Sequence, residues 1–145
     1  MLILVGIAFL IGMVLPLQAG INAQLRTGLG HPLLAALASF GVGTVALLLV
    51  ALAARVRLSP ASLPAMPWWY WTGGLLGALY IGAAVVLAPR LGAATLIAAT
   101  VAGQMATSLL LDARGWVGFS QQALTPARLV GGLLVIAGVL LINRR

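Results

Sequence analysis

The chain has no cysteine, glutamate or lysine, and its 145 residues include one histidine, His31, and one aspartate, Asp112. The absence of cysteine excludes disulfide bonds, iron–sulfur clusters and thiol nucleophiles. One histidine and one carboxylate supply too few ligands for a metal site and too few groups for acid–base catalysis. We therefore predict no metal, no cofactor and no catalytic residue.

The remaining candidate nucleophiles are serines. Ser39, Ser108 and Ser120 have no base that the sequence places beside them. An intramembrane protease needs a serine with such a base, a pair of aspartates or a metal site. The chain is therefore predicted not to be an enzyme.

Charged residues of either sign are scarce. They make up 6% of the chain, against about 25% in ordinary globular domains, while hydrophobic residues make up 63%. So few polar residues cannot cover so much apolar surface in water, and the composition therefore indicates an integral membrane protein surrounded by the lipid bilayer. The net charge of +7 comes from arginines spread along the loops. Without a basic run or a basic helix face, nucleic acid is not an expected partner.

Five long apolar segments divide the chain. A membrane-spanning helix needs about 20 apolar residues at 1.5 Å each, and the sequence predicts helices at residues 2–25, 33–54, 68–88, 93–111 and 127–142. Together these segments predict an all-α, multi-pass fold with a single transmembrane domain over residues 1–145. Pro16 interrupts the first helix and predicts a kink there. Thr125 and Pro126 are typical of a helix N-cap and of a first helical position.

The arginines are shared equally by the two faces of the predicted bundle. Because successive helices alternate in direction, the faces carry Arg55, Arg57, Arg114 and Arg128 on one side and Arg26, Arg90, Arg144 and Arg145 on the other. Orientation normally follows an excess of Lys and Arg in the cytoplasmic loops. Without that excess, the chain is expected to insert both ways up. Two opposed copies would form an antiparallel, dual-topology homodimer of ten helices, as in the inverted repeats of many transporters.

Polar side chains inside the predicted spans are the candidate substrate contacts, because polar groups in hydrocarbon tend to mark transport pathways or helix contacts. The candidates that would line a cavity are Gln18, Asn22, Tyr80, Thr100, Gln104 and Ser108. Gln18 and Asn22 are four residues apart and share one helix face, as do Gln104 and Ser108. Two interpretations stay open for the amides: they face a shared cavity at the bilayer midplane, or they hydrogen-bond helix to helix. Tyr80 either lines that cavity or fills the core.

Glycine is abundant, with 18 residues, and small residues let membrane helices approach each other closely. The candidate positions for helix packing or dimer contact are Gly73, Gly77, Gly131, Gly132 and Gly138. The last three predict that the fifth helix packs against another helix or against its own copy.

Asp112 and Arg114 follow the fourth predicted helix, and we predict a structural ion pair or a loop cap there. The alternative is that Asp112 couples transport to protons, which its place at the membrane interface disfavours. A cation exporter usually needs an acid in mid-membrane, and this sequence has none. A neutral, aromatic or anionic small molecule is therefore a better substrate than a cation.

Short motifs are spread along nearly the whole chain, and they are specific for one protein family in combination, although none is specific alone. The first is LPLQAGINAQLR at residues 15–26, and the others lie at residues 39–44, 73–77, 89–94, 103–104, 108–112 and 115–118. Together they resemble the YdcZ-like family of the drug/metabolite transporter superfamily, whose members are described mainly as exporters of the inner membrane.

That resemblance implies a five-helix unit, equal to half of a ten-helix transporter of the EamA type, in a bacterial inner (cytoplasmic) membrane. The small multidrug resistance proteins are four-helix relatives that work as antiparallel dimers and carry a glutamate at the centre of their first helix. This chain lacks that glutamate and has Gln18 and Asn22 nearby. The absence of this glutamate disfavours a transport mechanism that exchanges protons for drugs.

The leading expectation is a small-molecule exporter that works by alternating access at the interface of two inverted copies. The alternative is a non-transporting membrane subunit, or a partner in a hetero-oligomeric assembly. A passive channel is disfavoured because no ring of charge and no wide polar stripe appears.

Overall fold

A computed structural model describes residues 2–57 and 66–143 of the chain. Every regular element in these residues is a helix. The elements are α1 (Leu2–Leu29), α2 (Pro32–Ala53), α3 (Thr72–Leu91), α4 (Ala93–Arg114) and α5 (Pro126–Ile142), with short 3-10 helices at Trp68–Trp71 and Trp116–Gly118. The all-helical prediction is thus confirmed for the described part of the chain.

Four of the helices are long and apolar enough to cross a membrane: α1, α2, α3 with its leading 3-10 turn, and α4. The fifth, α5, has 17 residues. At 1.5 Å per residue it is about 26 Å long, which is at the short end of the range for a spanning helix. The described residues therefore provide four to five helices suited to membrane crossing.

Three helices continue further than the sequence predicted. α1 runs to Leu29, four residues beyond its predicted end at residue 25. α3 runs through Pro89 to Leu91, beyond its predicted end at residue 88, because a proline near the end of a helix forfeits only one backbone hydrogen bond. The chain turns instead at Gly92, whose φ of 76° is in the left-handed region that glycine adopts without strain. α4 likewise continues to Arg114 and ends at Gly115, with a φ of 63°.

Local side-chain bonds fix the starts of α2 and α5. His31 Nδ1 accepts a hydrogen bond from the backbone N–H of Leu33 at 3.2 Å, and Thr125 Oγ1 accepts one from the backbone N–H of Arg128 at 3.3 Å. Each bond satisfies a donor that a helix start otherwise leaves without a partner. The N-cap predicted at Thr125 is confirmed.

The chain divides into two compact units. One contains Met1–Pro16 and Leu91–Arg145, and the other contains Leu17–Arg90. In the first unit α4 and α5 form an antiparallel hairpin, in which Met105 and Leu109 lie beside Gly132. In the second unit, the buried apolar side chains are Ala35 and Ala36 of α2 and Ala84 and Val85 of α3. The single transmembrane domain predicted over residues 1–145 stays a prediction.

Most large apolar side chains of the described residues point outward. Leu2 is 87% exposed, Leu47 is 72% exposed and Leu75 is 71% exposed. In water such a surface would be a severe aggregation hazard. Hydrocarbon is as apolar as these side chains, so a bilayer removes the penalty. The fold is consistent only with a membrane environment.

Candidate functional site

A half-open cavity of about 250 Å³ lies among α1, α2 and α3 in the unit Leu17–Arg90. The residues that line it are Gln18, Ser39, Phe40, Gly43, Thr44, Leu47 and Ile81. They bring one amide and two hydroxyl groups to an otherwise apolar wall. None of the seven carries a charge at neutral pH, so the cavity can offer hydrogen bonds and an aromatic face but no ion pair.

The amide of this cavity comes from the part of α1 that follows its proline. Pro16 has no backbone N–H, so it interrupts the hydrogen-bond ladder of the helix at this point. Gln18 lies two residues later and is half-buried. One turn further, Asn22 is only 4% exposed and is the buried polar side chain among the described residues. Gln18 thus lines this cavity, whereas Asn22 is not among its lining residues, and a role for Asn22 in a substrate cavity stays a prediction.

The aromatic wall is held by a contact between α2 and α3. A Cβ atom added to Gly77 would lie 3.5 Å from Phe40 Cζ, whereas one added to Gly73 would meet no atom within 4 Å. The Phe40 ring therefore lies against α3 at Gly77, at a distance that leaves an added Cβ atom in ordinary contact. Tyr80, on the same helix, is half-buried, and its neighbour Ile81 is the α3 residue that lines the cavity.

The second group of predicted polar residues lies on α4, in the other unit. Thr100 is half-buried and its hydroxyl donates a hydrogen bond to the backbone oxygen of Ile97 at 2.9 Å. Gln104 and Ser108 are exposed. A cavity shared by Gln18 and Gln104 stays a prediction.

In the connection between α4 and α5, Asp112 pairs with an arginine other than its sequence neighbour Arg114. The Asp112 carboxylate contacts Arg128 Nη2, and the Arg114 guanidinium lies 5.2 Å from the centroid of the Trp116 ring. The reason is geometric. Residues two apart on a helix do not face each other, whereas Arg128 projects from the first turn of α5 and reaches back across the hairpin.

Further hydrogen bonds stabilise the connection between α4 and α5. The backbone N–H of Gln122 donates to the Asp112 carbonyl oxygen at 2.8 Å. Gln121 Nε2 donates to the Ala113 oxygen at 3.1 Å, and Arg128 Nη1 donates to the Ala123 oxygen at 3.4 Å. Together with the ion pair, these bonds fix the end of α4 against the start of α5.

The three glycines of α5 have different surroundings. A Cβ atom added to Gly132 would lie 3.1 Å from Leu109 Cδ1, so Gly132 allows the close approach of α5 to α4. At Gly131 and Gly138 an added Cβ atom would meet nothing within 4 Å. Gly132 is thus a packing residue inside the chain, and the other two border open space.

Residues 3–141 match the model of a protein family described as "Putative inner membrane exporter, YdcZ". The chain belongs to the YdcZ family. The resemblance that the motifs suggested is thereby confirmed. The chain is also 36% identical over 78 residues to the "Inner membrane protein YdcZ" of Escherichia coli (strain K12), over 54% of this chain and 52% of that relative. The match spans about half the length of the relative. No solved structure matches the chain.

Membership of the YdcZ family and the apolar helices together establish a multi-pass protein of the inner membrane. The family is described as an exporter family rather than as a class of enzymes.

Sequence reasoning identified Gln18 but missed the α2 side of the cavity. Ser39, Phe40 and Thr44 received no role, although all three lie in the motif at residues 39–44. A usable signal was present, because Phe40, Thr44 and Leu47 recur at the spacing of one helix face. It was overlooked because apolar residues surround these positions on every side of α2, so no face stands out.

Proposed function

We propose that this chain is one half of a small-molecule exporter. Two copies, inserted in opposite orientations, form a ten-helix transporter of the drug/metabolite transporter type that works by alternating access at the interface of the two copies. The description of the YdcZ family as exporters supports transport out of the cell.

The observation that carries the proposal is the uncharged polar cavity of Gln18, Ser39 and Thr44 within apolar helices. Each of these polar groups is costly in hydrocarbon unless it serves a binding site or a helix contact. The volume of about 250 Å³ is just below the range of about 300–1,000 Å³ typical of small-molecule sites. One chain therefore supplies part of a binding site, and a second copy supplies the remainder.

The exposed polar stripe on α4 supports a second copy independently. Gln104 and Ser108 are both exposed within a helix long enough to span the membrane. A glutamine amide facing lipid tails would leave its hydrogen-bonding groups unsatisfied, at a cost of several kcal/mol. We propose that this stripe, together with Thr100, faces the substrate pathway that the inverted copy completes.

Opposed insertion of the two copies rests on the balance of arginines. The two predicted faces carry four arginines each, so the excess that normally selects one orientation is missing. The open surroundings of Gly131 and Gly138 leave α5 free to pack closely against a helix of the other copy.

The proposed substrate is a neutral, aromatic or anionic small molecule rather than a cation. No carboxylate lines the cavity, and the Phe40 ring together with the apolar wall of Leu47 and Ile81 suits a flat apolar group. The Gln18 amide and the two hydroxyl groups would bind polar substituents at its edge, because they both donate and accept hydrogen bonds.

The test is efflux from proteoliposomes loaded with three matched fluorescent solutes. The solutes share one aromatic ring and carry a neutral amide, a carboxylate or a quaternary ammonium group. We expect saturable efflux of the first or second, and Gln18→Leu should slow that efflux about tenfold, the usual cost of one lost buried hydrogen bond. Gln24→Leu is the matched control, because Gln24 lies on the same helix, is exposed and does not line the cavity.

Three outcomes would refute the proposal. Saturable efflux of the quaternary ammonium solute alone would overturn the substrate class. An ion conductance without saturation would indicate a channel. Absence of efflux until a second membrane protein is added would favour the alternative of a non-transporting subunit in a hetero-oligomeric assembly.

A further inference from the structure

Gly43 lies in the middle of the wall that α2 contributes to the polar cavity. Four lining residues of this helix, Phe40, Gly43, Thr44 and Leu47, recur at the spacing of one helix face. Gly43 is also near the centre of the 22 residues of α2. Because glycine has no side chain, the backbone of α2 is open to the cavity at this position.

No helix contact of the described residues explains this glycine. A Cβ atom added to Gly43 would meet nothing within 4 Å. At Gly77 an added Cβ atom would lie 3.5 Å from Phe40 Cζ, and at Gly132 it would lie 3.1 Å from Leu109 Cδ1. Glycine in the middle of a helix is less favourable than alanine. The space beside Gly43 is therefore part of the cavity and is not used for packing within the unit.

The length of the α2 wall indicates what could lie along it. Phe40 and Leu47 are seven residues apart, which is about 10 Å along the helix axis at 1.5 Å per residue. A single aromatic ring is shorter than this distance. A flat ligand that stacks on Phe40 and also reaches Leu47 must therefore pass over Gly43, where any side chain would stand in its path.

Two hydroxyl groups beside this path are available to a ligand. The side chains of Ser39 and Thr44 form no hydrogen bond with another described residue. The hydroxyl groups of Thr72 and Thr100, by contrast, donate to backbone oxygens three residues earlier, at 2.7 and 2.9 Å. The cavity thus combines an apolar path with polar groups whose hydrogen bonds are not taken up by the helix.

We propose that Gly43 determines the length of the aromatic substrate, and that the cavity takes a flat molecule of two fused rings with one polar substituent. Phe40 and Leu47 contact the two ends of the ring system, and the open backbone at Gly43 lies between them. Ser39 and Thr44 bind the substituent. The inference rests on the proposed function, because it takes the cavity of Gln18 as the substrate site.

The experiment measures binding, so that its result does not depend on transport. Equilibrium dialysis of full-length protein in mild detergent, with protein-free micelles as the blank, compares benzamide with 2-naphthamide and benzoate with 2-naphthoate. We expect the wild-type protein to bind the two-ring member of at least one pair about tenfold more tightly, the gain that an added apolar group brings in a fitted pocket. Gly43→Val should abolish this preference and leave one-ring binding unchanged.

Two further variants separate the role of Gly43 from a folding defect. Gly41→Val is the matched control, because Gly41 is on the same helix, does not line the cavity and would also meet nothing within 4 Å with an added Cβ atom. It should keep the two-ring preference. Leu47→Ala adds no bulk and removes the contact at the far end of the path. Since Leu47 is 72% exposed, the variant should fold normally and lose affinity for the two-ring probe alone.

Each other result is informative. A two-ring preference retained in both Gly43→Val and Leu47→Ala, or an equal loss for one-ring and two-ring probes, would overturn the inference. Loss of the dimer in Gly43→Val but not in Gly41→Val would show that a helix of the second copy lies on Gly43 instead. Binding as expected without efflux from proteoliposomes would refute the proposed transport and leave the role of Gly43 intact. Failure of the wild-type protein to bind any of the four probes would refute both.

Discussion

The carboxylate of Asp112, at the end of α4, contacts the guanidinium of Arg128, in the first turn of α5. Asp112 is the only acidic residue of the chain, and both side chains are partly shielded from solvent, with 20% and 30% of their surface exposed. The two residues are 16 positions apart in the sequence, and their contact joins α4 to α5. It therefore stabilises the α4–α5 hairpin, whose first helix carries the polar stripe of Thr100, Gln104 and Ser108.

We expect Asp112→Asn to destabilise the hairpin. The substitution removes a charge-assisted hydrogen bond, which is worth about 1.5–3 kcal/mol, and leaves the arginine without its counter-charge. Thermal unfolding in detergent should show a lower midpoint, and the loss should be smaller for Asp112→Glu. In a double-mutant cycle, Arg128→Gln should cost little more once Asp112→Asn is present. Additive losses would show that the two residues do not act together.

Gly132 and Gly131 offer a matched comparison in α5. We expect Gly132→Val to destabilise the protein by about 1–3 kcal/mol, because the new side chain overpacks against Leu109. Gly131→Ala meets no neighbour and should be neutral, or stabilising by up to about 1 kcal/mol, because alanine favours a helix over glycine. Equal effects of the two substitutions on the unfolding midpoint would contradict the close approach at Gly132.

Gly77 should control the size of the polar cavity through Phe40. Gly77→Ala places a Cβ atom at ordinary contact distance, 3.5 Å from the ring, and should leave transport nearly unchanged. Gly77→Leu should push the ring into the cavity and slow saturable efflux about tenfold or more. Adding Phe40→Ala to Gly77→Leu should restore part of the lost rate, because it removes the displaced ring. Gly73→Leu is the control on the same helix, since it borders open space.

We expect Gln104→Leu to abolish transport and to leave assembly of the dimer intact. Gln104 is exposed in a single copy, and a leucine there removes the amide without a packing conflict. We expect loss of saturable efflux from proteoliposomes, while chemical cross-linking still captures the dimer. Unchanged efflux would show that the Gln104 amide does not contribute to the substrate pathway.

The absence of cysteine permits a direct test of dual insertion. Met66 is 41% exposed and follows α2 in the connection to α3, so Met66→Cys gives a single labelling site. A thiol reagent that cannot cross the inner membrane should label about half of the protein in intact cells, because the arginine balance selects neither orientation. Replacing Arg55 and Arg57 with glutamine should shift labelling towards all or none. Complete labelling or complete protection without that replacement would contradict dual insertion.

The helices themselves were predictable from local sequence. A run of about 20 apolar residues must satisfy its backbone hydrogen bonds internally in a membrane, which only a helix does within one segment. The start of α5 was equally local, because Thr125 bonds to the backbone N–H of Arg128 only three residues away. The family could likewise be inferred from sequence, since its motifs are short and contiguous.

The side-chain partners were not predictable in the same way. The helices are apolar on nearly every side, so hydrophobic periodicity does not show which face of each packs against its neighbours. The sequence did not indicate that Gly77 faces Phe40, or that Gly132 faces Leu109.

The residues that line the cavity were likewise only partly predictable from the sequence. The sequence by itself determined that Gln18 is a polar residue inside a membrane helix. Only the tertiary structure decided that Ser39 and Thr44 lie around the same cavity, and that Asp112 pairs with Arg128 instead of Arg114. The physical reason is that helix formation depends on neighbours along the chain, whereas a binding cavity and an ion pair depend on how helices distant in sequence rotate and pack.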